Sequence, residues 1–370
     1  MRIFSQAGKQ RTIRTAVQRM KKRIGIKAAA AAVLCAGMLC TGCGAKDKNS
    51  NISEGMTAIE ELRYEDALAC FDKALVSGED RRLIFRGQGL ANLGLAKYAE
   101  AAAALEQCLA SGSCIPDAMD YDVNYYLATA YYKAGRSEDA KKVYDAILAL
   151  KSDAREAYFM RGIIQIRMGN YELAKPDFDK AIELAPTDYD QLVEIYKVMD
   201  ETGYQEMGAA YLETAIQKAP KDMGNYDKGR IYFYLGDFES ARNYLEQARD
   251  AGDAQATYYL GKTWENLGEY NYAASVYISY LQDQGESALI YNQLALCNMQ
   301  LGDYDAALSA LQSGLALEDA ALRQTLSFNQ IVVYERQGNF KQAAELMAKY
   351  VQDYPDDAAA VRENEFLRSR

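Results

Sequence analysis

A chain of 370 residues, 49% hydrophobic and 25% charged, can bury a large core but is long for one compact domain, so two domains or a repeat array are expected. Nine of its 42 Lys and Arg residues precede position 44, where no acid occurs, which leaves the remainder, with its 52 Asp and Glu, near −19. Such a surface repels phosphates and excludes nucleic acid as a direct partner, while the complete absence of histidine removes the commonest general base, metal ligand and nucleophile activator.

In chain order, Met20-Lys21-Lys22-Arg23 precedes an apolar stretch from Ala28 to Leu39 and the exit Cys40-Thr41-Gly42-Cys43. A charged head, an apolar middle and small residues at the end make a secretory signal over 1–43, complete from Met20, so that 1–19 is read as lying upstream of the true start. The apolar stretch is too short to span about 30 Å of hydrocarbon. Its ending resembles the lipobox of bacterial lipoproteins, which implies diacylation of Cys43 and a lipid anchor on the extracytoplasmic face of the cell membrane. Cys40 stands where that pattern usually has Leu. The short polar stretch 44–52 then reads as a tether.

Glycine recurs through the body at Gly135, Gly169, Gly203, Gly236, Gly268, Gly302 and Gly338, at separations of 34, 34, 33, 32, 34 and 36 residues. A period near 34 predicts stacked helical hairpins, with each glycine closing a first helix in the left-handed conformation. Small residues follow at Ala140, Ala174, Gly208, Ala241, Ala273, Ala307 and Ala343, and larger ones four places on at Tyr144, Phe178, Leu212, Leu245, Tyr277, Leu311 and Met347. Those two rows predict a close, interlocked contact between the helices of each pair. Pro186, Pro220 and Pro355 mark ends of second helices, whereas Pro176 lies inside one and is expected to bend it or shift its start.

The pattern resembles the tetratricopeptide repeat family, most closely over 155–188, where Gly162, Gly169, Tyr171, Ala174, Phe178, Ala181 and Pro186 fall on signature positions. A first repeat is read from Tyr64-Glu65-Asp66-Ala67, Phe71 and Ala74-Leu75, and a second from Gly87 to Leu109 with two extra turn residues, Leu95 and Ala96. The resemblance implies an all-α, right-handed α-solenoid of about nine hairpins over 53–355. The polar stretch 356–370, with Arg362, Glu363, Glu365, Arg368 and Arg370, follows as a capping helix.

Family members commonly bind peptides in a groove lined by the first helices. The resemblance places Tyr125, Phe159, Tyr226, Tyr258 and Phe328 at one groove position, with Tyr132 and Phe233 further along. Tyrosine offers broad contact area with little entropy to lose, which suits polypeptide recognition, although Tyr131, Tyr171, Tyr270, Tyr277 and Tyr304 fall where an aromatic is core packing. Chaperone-binding relatives hold a terminal carboxylate in a Lys, Asn and Arg clamp. The matching positions here are mostly aromatic, with Arg230 and Lys262 as exceptions, so no clamp is expected and basic or apolar segments are favoured.

Cys70, Cys108, Cys114 and Cys297 lack metal-ligand spacing, and Cys108 with Cys114 allows either a loop disulfide or two thiols. Gly87-Gln88-Gly89 lacks the Lys-Ser or Lys-Thr of a phosphate loop. The expectation is a protein-binding scaffold with no catalytic residue, cofactor or metal. Envelope glycan or peptide capture, or activation of an envelope enzyme as a non-catalytic subunit, are the competing readings. Cys43→Ala is predicted to move the protein from the membrane to the soluble fraction on cell fractionation; continued membrane retention rules out anchoring through this cysteine.

Overall fold

The seven periodic glycines all adopt φ between +76° and +87°, and each ends the first helix of a pair. The computed structural model describes residues 49–112 and 115–368. Cys43 and Cys114 lie outside them, as do residues 1–48 with the whole expected signal. Nineteen helices occur among the described residues, with no strand. The chain divides into two units, residues 1–208 and 209–370.

In the first unit, α1 (Ser50–Glu60) pairs with α2 (Tyr64–Val76), α3 (Arg81–Gly94) with α4 (Tyr98–Ala110), α5 (Ala118–Lys133) with α6 (Ser137–Leu150), and α7 (Arg155–Arg167) with α8 (Tyr171–Leu184). α9 (Tyr189–Glu201) follows, and the division falls within α10 (Gln205–Gln217). In the second unit, α11 (Asn225–Leu235) pairs with α12 (Phe238–Asp250), α13 (Ala254–Asn266) with α14 (Tyr270–Gln284), α15 (Ala288–Leu301) with α16 (Tyr304–Ala316), and α17 (Arg323–Arg336) with α18 (Phe340–Asp353). α19 (Ala358–Arg368) packs on α18 and buries Ala360 and Leu367 in a core shared with Ile331 and Met347.

Both predicted rows are buried: the small residues from Ala140 to Ala343, and the large ones from Tyr144 to Met347. Phe178 shows the contact they make. Its ring lies over Gly162 of α7 so closely that a Cβ added there would stand 2.6 Å from ring carbon Cε1. Fully burying such a side chain stabilises by about 1.5–3 kcal/mol, provided the backbone opposite can approach it. Around this contact, Arg161 ties α7 to both second helices beside it, donating to Asp177 at 2.6 and 2.8 Å and to Asp145 at 2.7 Å.

Two sequence expectations need correction. The second hairpin has no extra turn residues: α3 ends at Gly94, and Ala96 takes φ +59° in the place that glycine holds later. Leu62 does the same in the first hairpin at φ +62°, so the left-handed turn is kept without its usual residue. The tether does not extend to residue 52, because α1 begins at Ser50 and buries Ile52. Its first amides would lack partners, and the Glu79 carboxylate accepts from the N–H groups of Asn51 and Ile52 at 3.1 and 3.0 Å. Pro176 lies inside α8, whose start stays at Tyr171 after Asn170, so the alternative in which it shifts that start does not occur.

Gly162→Ala is predicted to destabilise the protein by about 1–3 kcal/mol, because the new methyl group must displace the fully buried Phe178 ring. Chemical denaturation followed by far-UV circular dichroism checks it, and an unchanged midpoint contradicts a close-packed contact.

Candidate functional site

Positions three before and four after the packed residue of a first helix lie at the edge of its buried face, because 3.6 residues complete a turn. Tyr226 and Phe233 flank Gly229 of α11 in this way, and Gly229 abuts Leu245, where an added Cβ would stand 2.6 Å from Cγ. Both aromatics are therefore half-buried, packed below against the Leu245 core and open above.

The second unit gathers its aromatics. Tyr259 of α13 lies 6.0 Å from Tyr226, 5.6 Å from Phe233 and 5.4 Å from Tyr258, in edge-to-face geometries. Its hydroxyl and that of Tyr234 share a hydrogen bond of 3.2 Å. Such pairs each add about 0.5–1.5 kcal/mol beyond burial, so the edge of α11 and α13 is ordered before any partner arrives. Arg230, buried beneath, places its guanidinium 4.8 Å from the Tyr226 ring and donates to Asp227 at 3.0 Å. Further along, Phe328 of α17 is half-buried, 5.6 Å from Tyr350. Between α15 and α17, Asn329 donates to Asn292 at 2.7 Å.

The first unit arranges the same face differently. Tyr125 of α5 tilts onto the buried Tyr144 at 6.1 Å, and burial, then Glu156, pushes its pKa up to about 12, which keeps the hydroxyl neutral. Tyr132 is half-buried, and burial also raises its pKa against the opposing charge of Arg167. Arg167 of α7 pairs with Glu201 of α9 at 2.8 Å, Arg155 pairs with Asp188, and Arg82 reaches Asp117 and Asp120 at 2.6 and 2.5 Å. Ion pairs thus staple first helix to first helix where the second unit uses rings. Lys133 is the exception, its pKa lowered by burial and then by Arg167.

Of the seven aromatics predicted to line the face, Tyr125, Tyr132, Tyr226, Phe233, Tyr258 and Phe328 are half-buried on first helices. Phe159 is the correction: at 6% exposure it belongs to the core of α7, because the surrounding Ile163, Ile164 and Ile166 of that helix are buried as well. Sequence reasoning missed Tyr259 and Tyr234, whose adjacency to Tyr258 and Phe233 was the available signal. Among the described residues no group of His, Cys, Asp and Glu could hold a metal ion, and no helix is long and apolar enough to cross a membrane. Cys70, Cys108 and Cys297 are buried thiols.

Comparison with known proteins adds the following. The family model described as Tetratricopeptide repeat matches residues 52–122, 125–189, 226–288 and 292–358, well over half of the chain. A TPR repeat-containing protein of Methanocaldococcus jannaschii is 23% identical over 248 residues, covering 63% of this chain and 42% of that protein. The chain spans less than half the length of the curated relatives it matches. Among solved structures, a tetratricopeptide repeat protein from Parabacteroides merdae aligns with a TM-score of 0.48 at 13% identity, covering 77% of this chain and 98% of that one. YrrB, described as a TPR protein with an unusual peptide-binding site, aligns over 48% of this chain and 89% of its own at 23% identity and a TM-score of 0.38.

Phe159→Ala is predicted to cost about 3–5 kcal/mol, as for other buried aromatics, whereas Tyr258→Ala, half-buried, costs markedly less. Denaturation midpoints of the two variants check the order, and equal losses refute the assignment of Phe159 to the core.

Proposed function

The chain belongs to the tetratricopeptide repeat family, and from that premise we propose that it is a non-catalytic scaffold that binds polypeptide segments on its first-helix faces, anchored extracytoplasmically through lipid on Cys43. The observation that carries the binding reading is the ordered aromatic edge of the second unit, where Tyr226, Phe233 and Tyr258 surround Tyr259 and remain half-exposed. Rings already held by one another lose little entropy on meeting a partner, and each offers both an apolar surface and, for tyrosine, a hydrogen-bonding tip.

Several features support the remaining elements of the proposal. The absence of histidine in the sequence leaves few routes to catalysis. The excess of acid after position 44 disfavours nucleic acid, and the aromatic residues at the clamp positions disfavour capture of a terminal carboxylate. The charged, apolar and small-residue order from Met20 to Cys43 supports export and lipidation.

Photo-crosslinking residues placed at Tyr226 and Tyr258 in intact cells are predicted to attach to a discrete polypeptide, identified by mass spectrometry. Crosslinks to glycan strands alone, or none at these two sites while probes on second helices react, overturn the reading.

A further inference from the structure

We propose that the inter-hairpin edge of the first unit lies on the outer surface of the membrane and inserts Val76, Ile115 and Leu150 among the lipids. The inference rests on the proposed lipid anchor at Cys43 and adds which face of the protein the membrane meets.

Exposed apolar residues mark this edge. Val76 ends α2, Ile115 lies in the link from α4 to α5, and Leu150 ends α6, so each stands where one hairpin passes to the next. They are 91%, 79% and 64% exposed, the three highest values among the large apolar side chains of the described residues. Leu150 and Pro116, the neighbour of Ile115, also line one apolar cleft of about 250 Å³ with Leu109 and Ile147, which joins two of the loops into a continuous surface.

Polar contacts hold the loops at one end of the stack. Asn51 at the start of α1 donates to Glu79 ahead of α3 at 2.6 Å, and Arg82 at the start of α3 pairs with Asp117 and Asp120 at the start of α5. The chain enters at this same end, where Asn49 Oδ1 accepts from the N–H of Asp80 at 3.4 Å. Six peptide links join Asn49 to Cys43, about 20 Å at full extension, so a lipid on Cys43 begins within that reach of the edge. The turn edge of the same hairpin is set apart from it by the 13 residues of α2, a further length of about 20 Å.

Little charge opposes the contact. Glu79 is engaged by the amides of α1, Asp80 caps α3 by accepting from the N–H groups of Arg82 and Leu83, and Arg82 neutralises Asp117 and Asp120. In the last of the three loops Lys151 offsets Asp153. Tethering by acyl chains makes the meeting of protein and membrane intramolecular, so three side chains of weak individual affinity suffice to orient the unit.

The test uses the lipidated protein purified from cells and reconstituted into vesicles of phosphatidylethanolamine and phosphatidylglycerol. Val76→Trp, Ile115→Trp and Leu150→Trp are made singly, and the signal of the parent protein is subtracted because Trp264 is the one tryptophan in the chain. Leu62→Trp is the control, since Leu62 is 62% exposed but occupies the turn between α1 and α2. Brominated acyl chains are expected to quench the introduced fluorescence at positions 76, 115 and 150 and to leave that at 62 unchanged. Val76→Asp with Ile115→Asp, both exposed, is expected to abolish the quenching in Leu150→Trp. Equal quenching at all four positions, quenching at none, or persistent quenching at position 150 beside the two aspartates overturns the inference. If Cys43→Ala nevertheless releases the protein from membranes, the anchor reading stands without it; if the protein is not released, both fall.

Discussion

Everything in each unit follows from one steric constraint, the approach of a large side chain from a second helix onto a small residue of the first. Phe178 over Gly162, Leu245 over Gly229 and Tyr277 over Gly261 leave no room for a Cβ, which would stand 2.6, 2.6 and 2.4 Å from the nearest atom. Contact at that distance fixes the rotation of each first helix about its axis as well as its separation from the second. Once rotation is fixed, the residues three before and four after are committed to the edge of the core. Tyr226 and Phe233 owe their half-burial to Gly229 in this way.

The edge positions must then be satisfied, and the two units do it with different chemistry. In the first, arginines on one first helix reach carboxylates on or beside the next, as Arg167 does to Glu201 and Arg82 to Asp117 and Asp120. Partly buried pairs of this kind contribute little net stability over apolar alternatives, but losing one partner strands the other charge, so they specify which helices adjoin. The second unit packs rings there instead and keeps its charges within helices, as Arg230 does with Asp227 and Lys262 with Glu265. Rings leave an apolar surface open; ion pairs consume their own polarity. That difference leaves half-buried aromatic rings at the first-helix edges of the second unit.

Much of this was legible in sequence because it is local and periodic. Glycine at the turn, a small residue after it and a large one four places on all lie within one repeat, and the structure buries every member of both rows. The failures have equally physical causes. Leu62 and Ala96 hold the left-handed turn at φ +62° and +59°, so searching for glycine displaced the second turn. Phe159 shared its register with Tyr226, yet the run Ile163, Ile164 and Ile166 widens the apolar face of α7 until the edge position is interior. The inter-helix pairs were missed because they join residues about one repeat apart, Arg155 with Asp188 and Arg167 with Glu201. Searching for an acid one period after each arginine would have found them.

Neighbouring hairpins decide how firmly an edge carboxylate is held. In a stacked-repeat protein each hairpin contacts only its neighbours, so a local deficit is not transmitted to the whole fold. Glu265 lies between hairpins on both sides within the second unit, and loosening α13 would disturb two cores, those of Leu260 and of Tyr277. The last described helix, α19, contributes Ala360 and Leu367 to the core it shares with Ile331 and Met347. The Glu265 carboxylate is held by Lys262 and the Tyr277 hydroxyl, so removing either donor would leave a partly buried carboxylate short of a partner.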